Sequence, residues 1–128
     1  MDFTHYLADR LIKATVGSIP YSPSDKVYLA LHTEDPTKEG LSVTEVEAPS
    51  YNRQEINFTE PVNGECTNDA QIDFSTATTN WGEVGWVSIM DAQESGYMLY
   101  FTELDNVKNI LTGDQLRIKV NEVKLTLT

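Results

Sequence analysis

The most constraining stretch of the chain runs from Asn80 to Leu104, which holds both tryptophans and reads as two apolar strands joined by a polar turn. Val84–Met90 and Tyr97–Phe101 are too short to be separate helices and are rich in β-branched and aromatic residues. Between them lies Asp91-Ala92-Gln93-Glu94-Ser95-Gly96, where turn formers concentrate. Gly85, Val87 and Ile89 share one side of the first strand, and Val84, Trp86 and Ser88 the other. In the second strand Tyr97, Leu99 and Phe101 alternate with Met98 and Tyr100. A half-solvated strand would carry a polar face, and neither of these does, so the hairpin needs cover on both sides. The core can supply one cover, and a helix, a second sheet or a partner subunit the other.

The remainder of the chain offers those covers. Asp2–Thr15 reads as a helix, with Phe3, Leu7, Leu11 and Ala14 at helical spacing and Tyr6 and Ile12 beside the stripe. Asp2 suits the N-cap and Gly17 the stop. A lone helix of this length is marginal in water, so its stripe must dock on a sheet or on another chain. Phe3, Tyr6, Leu7 and Leu11 are therefore the candidate assembly interface. After a connector at Ser18–Asp25, Lys26–Thr33 alternates with apolar residues on both faces. Leu41–Val46 reads as a short edge strand. Tyr51–Thr59 and Thr67–Phe74 alternate with one buried face each, with Gln54, Ile56 and Phe58 and then Ala70, Ile72 and Phe74 inward, leaving Arg53 and Glu55 outward. Near the end, Leu116, Ile118 and Val120 share one parity and Val123, Leu125 and Leu127 the other, which places a turn or bulge at Asn121-Glu122 between two final strands. Short strands at intervals of roughly ten residues after one helix predict a mainly β fold. The expected architecture is an antiparallel, jelly-roll-like β-sandwich over residues 26–128 with an N-terminal helix over 2–15, in a single domain.

Charge narrows the partners. Nine Lys and Arg against twenty Asp and Glu give a formal net charge of −11, which repels phosphate backbones and anionic lipid. Nucleic acid and membrane surfaces are not expected partners. No apolar run approaches the roughly 20 residues of a membrane helix, and the start lacks a secretory pattern, so folding in a cytoplasm is expected. One cysteine, Cys66, excludes an intramolecular disulfide, and two histidines are too few for a Cys/His zinc site with four protein ligands.

Catalytic options are weak. His5 and His32 stand far apart, where a surface or strand-edge role is the ordinary one, and Cys66 begins a strand, where an inert thiol is commoner than a nucleophile. Trp81-Gly82-Glu83-Val84-Gly85 lacks the glycine-rich helix start that cradles phosphate. Asp91 with Glu94, or Glu34 with Asp35, could offer oxygen ligands to calcium, but no ligand spacing supports it, and solvated turn charges are the simpler reading. No cofactor or metal is expected. Trp86 reads as core, whereas Trp81, at the strand start, suits either core packing or an exposed contact. Trp81 and Tyr51, with Tyr21, are the aromatics that a glycan-binding module would expose.

The order of segments resembles a family of small tailed-bacteriophage structural proteins, the tail-fibre and tail-fibre-like proteins. The likeness runs through DFTHYLADRLIKATVG, VYLALHTEDPT, TEVEAPSYNRQEINF, IDFSTATTNWGEVGWVSIMDAQESGYMLYF and LTGDQLRIKVNEVKLTL. Tyr51-Asn52-Arg53-Gln54 and Trp81-Gly82 are its more specific marks, and Glu47-Ala48-Pro49-Ser50 departs from the glycine-rich turn of relatives. This resemblance implies a virion structural protein without catalytic activity, made in the host bacterial cytoplasm, as a tail appendage, neck or head-decoration subunit. It also implies partners among other phage virion proteins, and a homo-oligomer is expected. A receptor- or glycan-binding module on the virion surface is the alternative.

Overall fold

A computed structural model describes residues 1–127. In chain order its first elements are β1 (Asp2–Phe3), α1 (His5–Val16), β2 (Val27–His32), a 3-10 turn (Ser42–Thr44) and β3 (Gln54–Ile56). β4 (Glu65–Thr67), β5 (Ile72–Asp73), β6 (Gly82–Met90), β7 (Met98–Ile110), β8 (Arg117–Ile118) and β9 (Lys124–Thr126) follow. The fold is mainly β, and all its strand pairs are antiparallel.

The expected hairpin is the β6–β7 pair, at the centre of a five-stranded sheet of order β1-β7-β6-β2-β3. Both of its faces are covered. Leu29, Leu31, Val87 and Ile89 face a core shared with Ile72, Phe74, Ile118 and Val123 of the second layer, while Ala30, Met90, Met98 and Phe101 pack on the opposite side. That second layer is two ribbons, β4–β9 and β5–β8, rather than one continuous sheet. Buried Asn68 ties the ribbons together by donating to the carbonyls of Ala70 and Lys119 and accepting from the Val123 N–H.

Several boundaries differ from expectation, each for a physical reason. β7 runs on through the polar residues to Ile110, because Leu104–Val107 bulge out opposite Gly85 and let Lys108, Asn109 and Ile110 pair with Val84, Glu83 and Gly82. An exposed edge needs no apolar face, so hydropathy gave no sign of it. Leu41–Val46 is not a strand: Ser42–Thr44 forms the 3-10 turn, and the segment meets β2 through one bridge, His32 with Glu45. Thr67–Phe74 is divided between β4 and β5, which leaves Ala70 exposed. Asn121 takes the expected turn with φ +69°, but β8 and β9 pair with β5 and β4 rather than with each other, and Val120 turns outward.

The helix cap lies two residues later than expected. Asp2 and Phe3 are held as β1 against Phe101 and Tyr100, so Thr4, not Asp2, caps α1. Its buried hydroxyl accepts from the Leu7 N–H and donates to the Met98 carbonyl, while its N–H reaches the Leu99 carbonyl. At the other end the Lys13 carbonyl accepts from both Gly17 and Ile19 N–H groups, and the left-handed residue is Ser18, with φ +59°. A serine there carries a steric cost that glycine avoids. Ser18→Gly should therefore raise stability by about 0.5–1 kcal/mol, read as a higher denaturant midpoint at unchanged slope.

Candidate functional site

The polar and aromatic residues singled out in the sequence fall into three groups: a buried ion-pair network, an aromatic corner and the outer half of α1. Arg53, expected on a solvated face, is buried at 7% exposure beside Glu45 at 15%. Its Nε and Nη2 donate to the two oxygens of Glu45 at 2.9 and 2.8 Å. Its Nη1 donates to the carbonyls of Ala92 and Ser95 at 2.8 and 2.7 Å, so the same guanidinium fastens the Asp91–Gly96 turn of the central hairpin. The Tyr51 hydroxyl donates to Glu45 at 2.6 Å and accepts from the Leu31 N–H. Burial alone would raise the Glu45 carboxyl, but the hydrogen bonds from Arg53 and Tyr51, with the Arg53 charge, outweigh it and hold it below the usual carboxylate range. Burial and the neighbouring Glu45 charge push the Tyr51 phenol upward.

Tyr51 also belongs to the aromatic corner. Its ring meets Trp81 edge-on at 5.5 Å and lies parallel to Phe74 at 6.3 Å. Trp81 is 5% exposed, and its Nε1–H donates to Ser50 Oγ, which also accepts from the Thr78 N–H. Neither Trp81 nor Tyr51 is thus the exposed aromatic that the sequence allowed, because Ser50 and Tyr51 fold over the indole from a segment far upstream. Gly82 follows Trp81 with φ +91°, a backbone that suits glycine, so glycine is needed there for its conformation.

His32 is nearest to a catalytic arrangement, with Nε2 2.7 Å from Ser88 Oγ and Nδ1 2.8 Å from Thr44 Oγ1. Thr44 donates its hydroxyl proton to the Leu41 carbonyl, so Nδ1 carries the imidazole proton and Nε2 accepts from Ser88. Ser88 is fully buried, and no substrate can reach its oxygen. Burial, only partly offset by Glu45, brings the His32 pKa down to about 4, with Arg53 acting in the same direction as burial. The unfolded chain binds a proton near pH 6.5 that the folded chain refuses. Stability should then be complete above pH 6.5 and fall by about 3 kcal/mol as the pH drops to 4. Glu45, whose folded carboxyl is held low, adds a further loss in the carboxylate range. Denaturant midpoints against pH, with the His32 imidazole followed by NMR, check this slope; a flat profile from pH 6.5 to 4 would contradict it.

Cys66 is half-buried, and burial pushes its thiol up, away from the reactive thiolate. His5 Nδ1 lies 2.8 Å from Glu39 on the surface. Among the described residues, no group of three or more His, Cys, Asp and Glu side chains is placed to hold a metal ion.

The expected interface residues are dispersed. Leu7 is buried under α1, Phe3 sits in β1 with its ring edge-on to Tyr100 at 5.7 Å, and Leu11 is half-buried. Tyr6 stacks on Tyr97 at 4.0 Å, and the Arg10 guanidinium lies over the other side of Tyr6, 3.9 Å from its centre. What stays exposed is Ile12 at 60%, Val16 at 81% and Ile19 at 56%, a set beside and beyond the expected stripe. A signal for it existed in the sequence. Arg10 to Ser24 is the longest run of the chain without an acidic residue.

A family model described as Podophage GP4 fiber I protein gp80 matches residues 2–126. No curated protein matches the chain. The match spans the helix, the ion-pair network, the aromatic corner and the hairpin, and the chain belongs to this family of podophage fibre proteins.

Proposed function

We propose that the chain is a non-enzymatic structural subunit of a virion fibre, which acts by assembling with copies of itself and with other virion proteins. One observation carries this reading: the side chains best suited to chemistry are spent inside the fold. His32 and Ser88 hold each other, Arg53 and Glu45 join the hairpin turn to the sheet, and Trp81 and Tyr51 pack together. What remains outside is a stretch of apolar surface on an acidic body, which suits protein contacts better than a reaction or a polyanion. Tail appendage, neck and head decoration are the places open to such a subunit. The glycan-binding alternative loses support, since two of the aromatics it needs face inward.

Mass spectrometry of purified particles, with gold-labelled antibody to place the chain, tests the proposal. The expected result is a stoichiometric component at one site on the virion, synthesised in the infected cell before assembly. Absence from particles would overturn it, as would a hydrolytic activity that survives purification and is lost in His32→Ala or Cys66→Ala.

A further inference from the structure

Resting on that assembly reading, we infer that the exposed end of α1 docks into an acid-rimmed cleft on a second copy of this chain. The donor surface is Val16 and Ile19 with Arg10 and Lys13: Ile19 lines one surface groove with both cations, and Val16 follows Lys13 one turn along the helix. Among the described residues neither cation has an ion-pair partner, a state they share with Lys38, Lys108 and Lys119, whereas Arg53, Arg117, Lys26 and Lys124 each have one. Arg10 is also held in place by its stack on Tyr6, itself stacked on Tyr97, so ordering it for a partner costs less than for a free side chain. A basic, apolar surface inside an acid-free run, on a chain of net charge −11, asks for a partner that is acidic and offers apolar cover.

The same chain provides one. A cleft of about 220 Å³ opens between the sheet and the second layer, with Leu29, Val87, Ile118 and Val123 in its floor. Glu103, Asp105 and Glu122 stand exposed around it; of the cations there, Lys124 is engaged by Glu65, and the Met1 ammonium leaves the rim acidic on balance. The Leu104–Val107 bulge of β7 forms part of the rim, which gives this irregular piece of the edge a use. Met1 lines the cleft while Ile19 lies past the far end of α1, so donor and acceptor surfaces sit at opposite ends of the N-terminal segment. Contact between two different patches is heterologous, and repetition closes a ring or extends a filament.

The test is sedimentation of the full chain over a concentration series up to about 1 mM, since small interfaces sit at the weak end of affinity. Wild type should self-associate, and less so as salt is raised. R10E/K13E should weaken association at least about tenfold, and E103K/E122K likewise. The chain carrying all four reversals should regain association, a rescue that a damaged fold cannot produce; thermal melts confirm that each variant is folded. Monomeric wild type, association indifferent to the reversals, or failure of the four-fold variant to recover would overturn the inference. These results separate from the virion reading: a chain monomeric in solution but stoichiometric in particles overturns only this inference, whereas absence from particles overturns the reading beneath it.

Discussion

Arg53→Ala is expected to cost about 3–5 kcal/mol, because it leaves the Glu45 carboxylate in a largely buried place without its charge partner. The loss is compounded at the hairpin turn, where the carbonyls of Ala92 and Ser95 lose their donor. Arg53→Lys keeps the charge but cannot hold both carboxylate oxygens and both carbonyls at once, and should recover only part of the stability. Removing the pair together, as Glu45→Gln with Arg53→Met, should cost less than Arg53→Ala alone, since no stranded charge remains. Urea unfolding of the four proteins checks this order. A loss below about 1 kcal/mol for Arg53→Ala would mean that the pair behaves as a surface contact.

Trp81→Ala should cost a comparable amount, about 3–5 kcal/mol, through the cavity left against Tyr51 and the loss of the Nε1–H bond to Ser50, whose hydroxyl keeps only the Thr78 N–H. Trp81→Phe keeps much of the packing but lacks the Nε1–H donor, and should lose about 1–2 kcal/mol. Thermal unfolding separates this structural role from a recognition role. An exposed recognition tryptophan would leave stability unchanged on truncation and alter binding alone.

These two positions show what could and could not be read from the residues. The central hairpin was legible because apolar residues on both parities can only mean cover on both sides. Arg53 was misplaced because alternation along Tyr51–Thr59 gives it the outward phase, and nothing local shows that Glu45 will meet it. Trp81 was ambiguous for the same reason, since its cover comes from Ser50 and Tyr51, a non-local contact. The helix start was a contest between two good caps, Asp2 and Thr4, decided by the pairing of Asp2 and Phe3 with β7. Along α1 the helical stripe identifies the side that docks within the protomer, as buried Leu7 shows. The side proposed for partners is marked by charge, in the acid-free run from Arg10 to Ser24.

The residues behind the family likeness thus hold the fold together: Tyr51 and Arg53 through Glu45, and Trp81-Gly82 at the start of the central strand. On the proposed reading, function is carried by surface and repetition rather than by a reactive centre. A reconstruction of the intact particle tests this most directly. The account predicts this β fold in repeated copies on the virion, with the Ile12–Ile19 end of α1 covered by a neighbouring subunit. Particles without density for the chain, or with it bound only through an open cleft holding a small molecule, would contradict it.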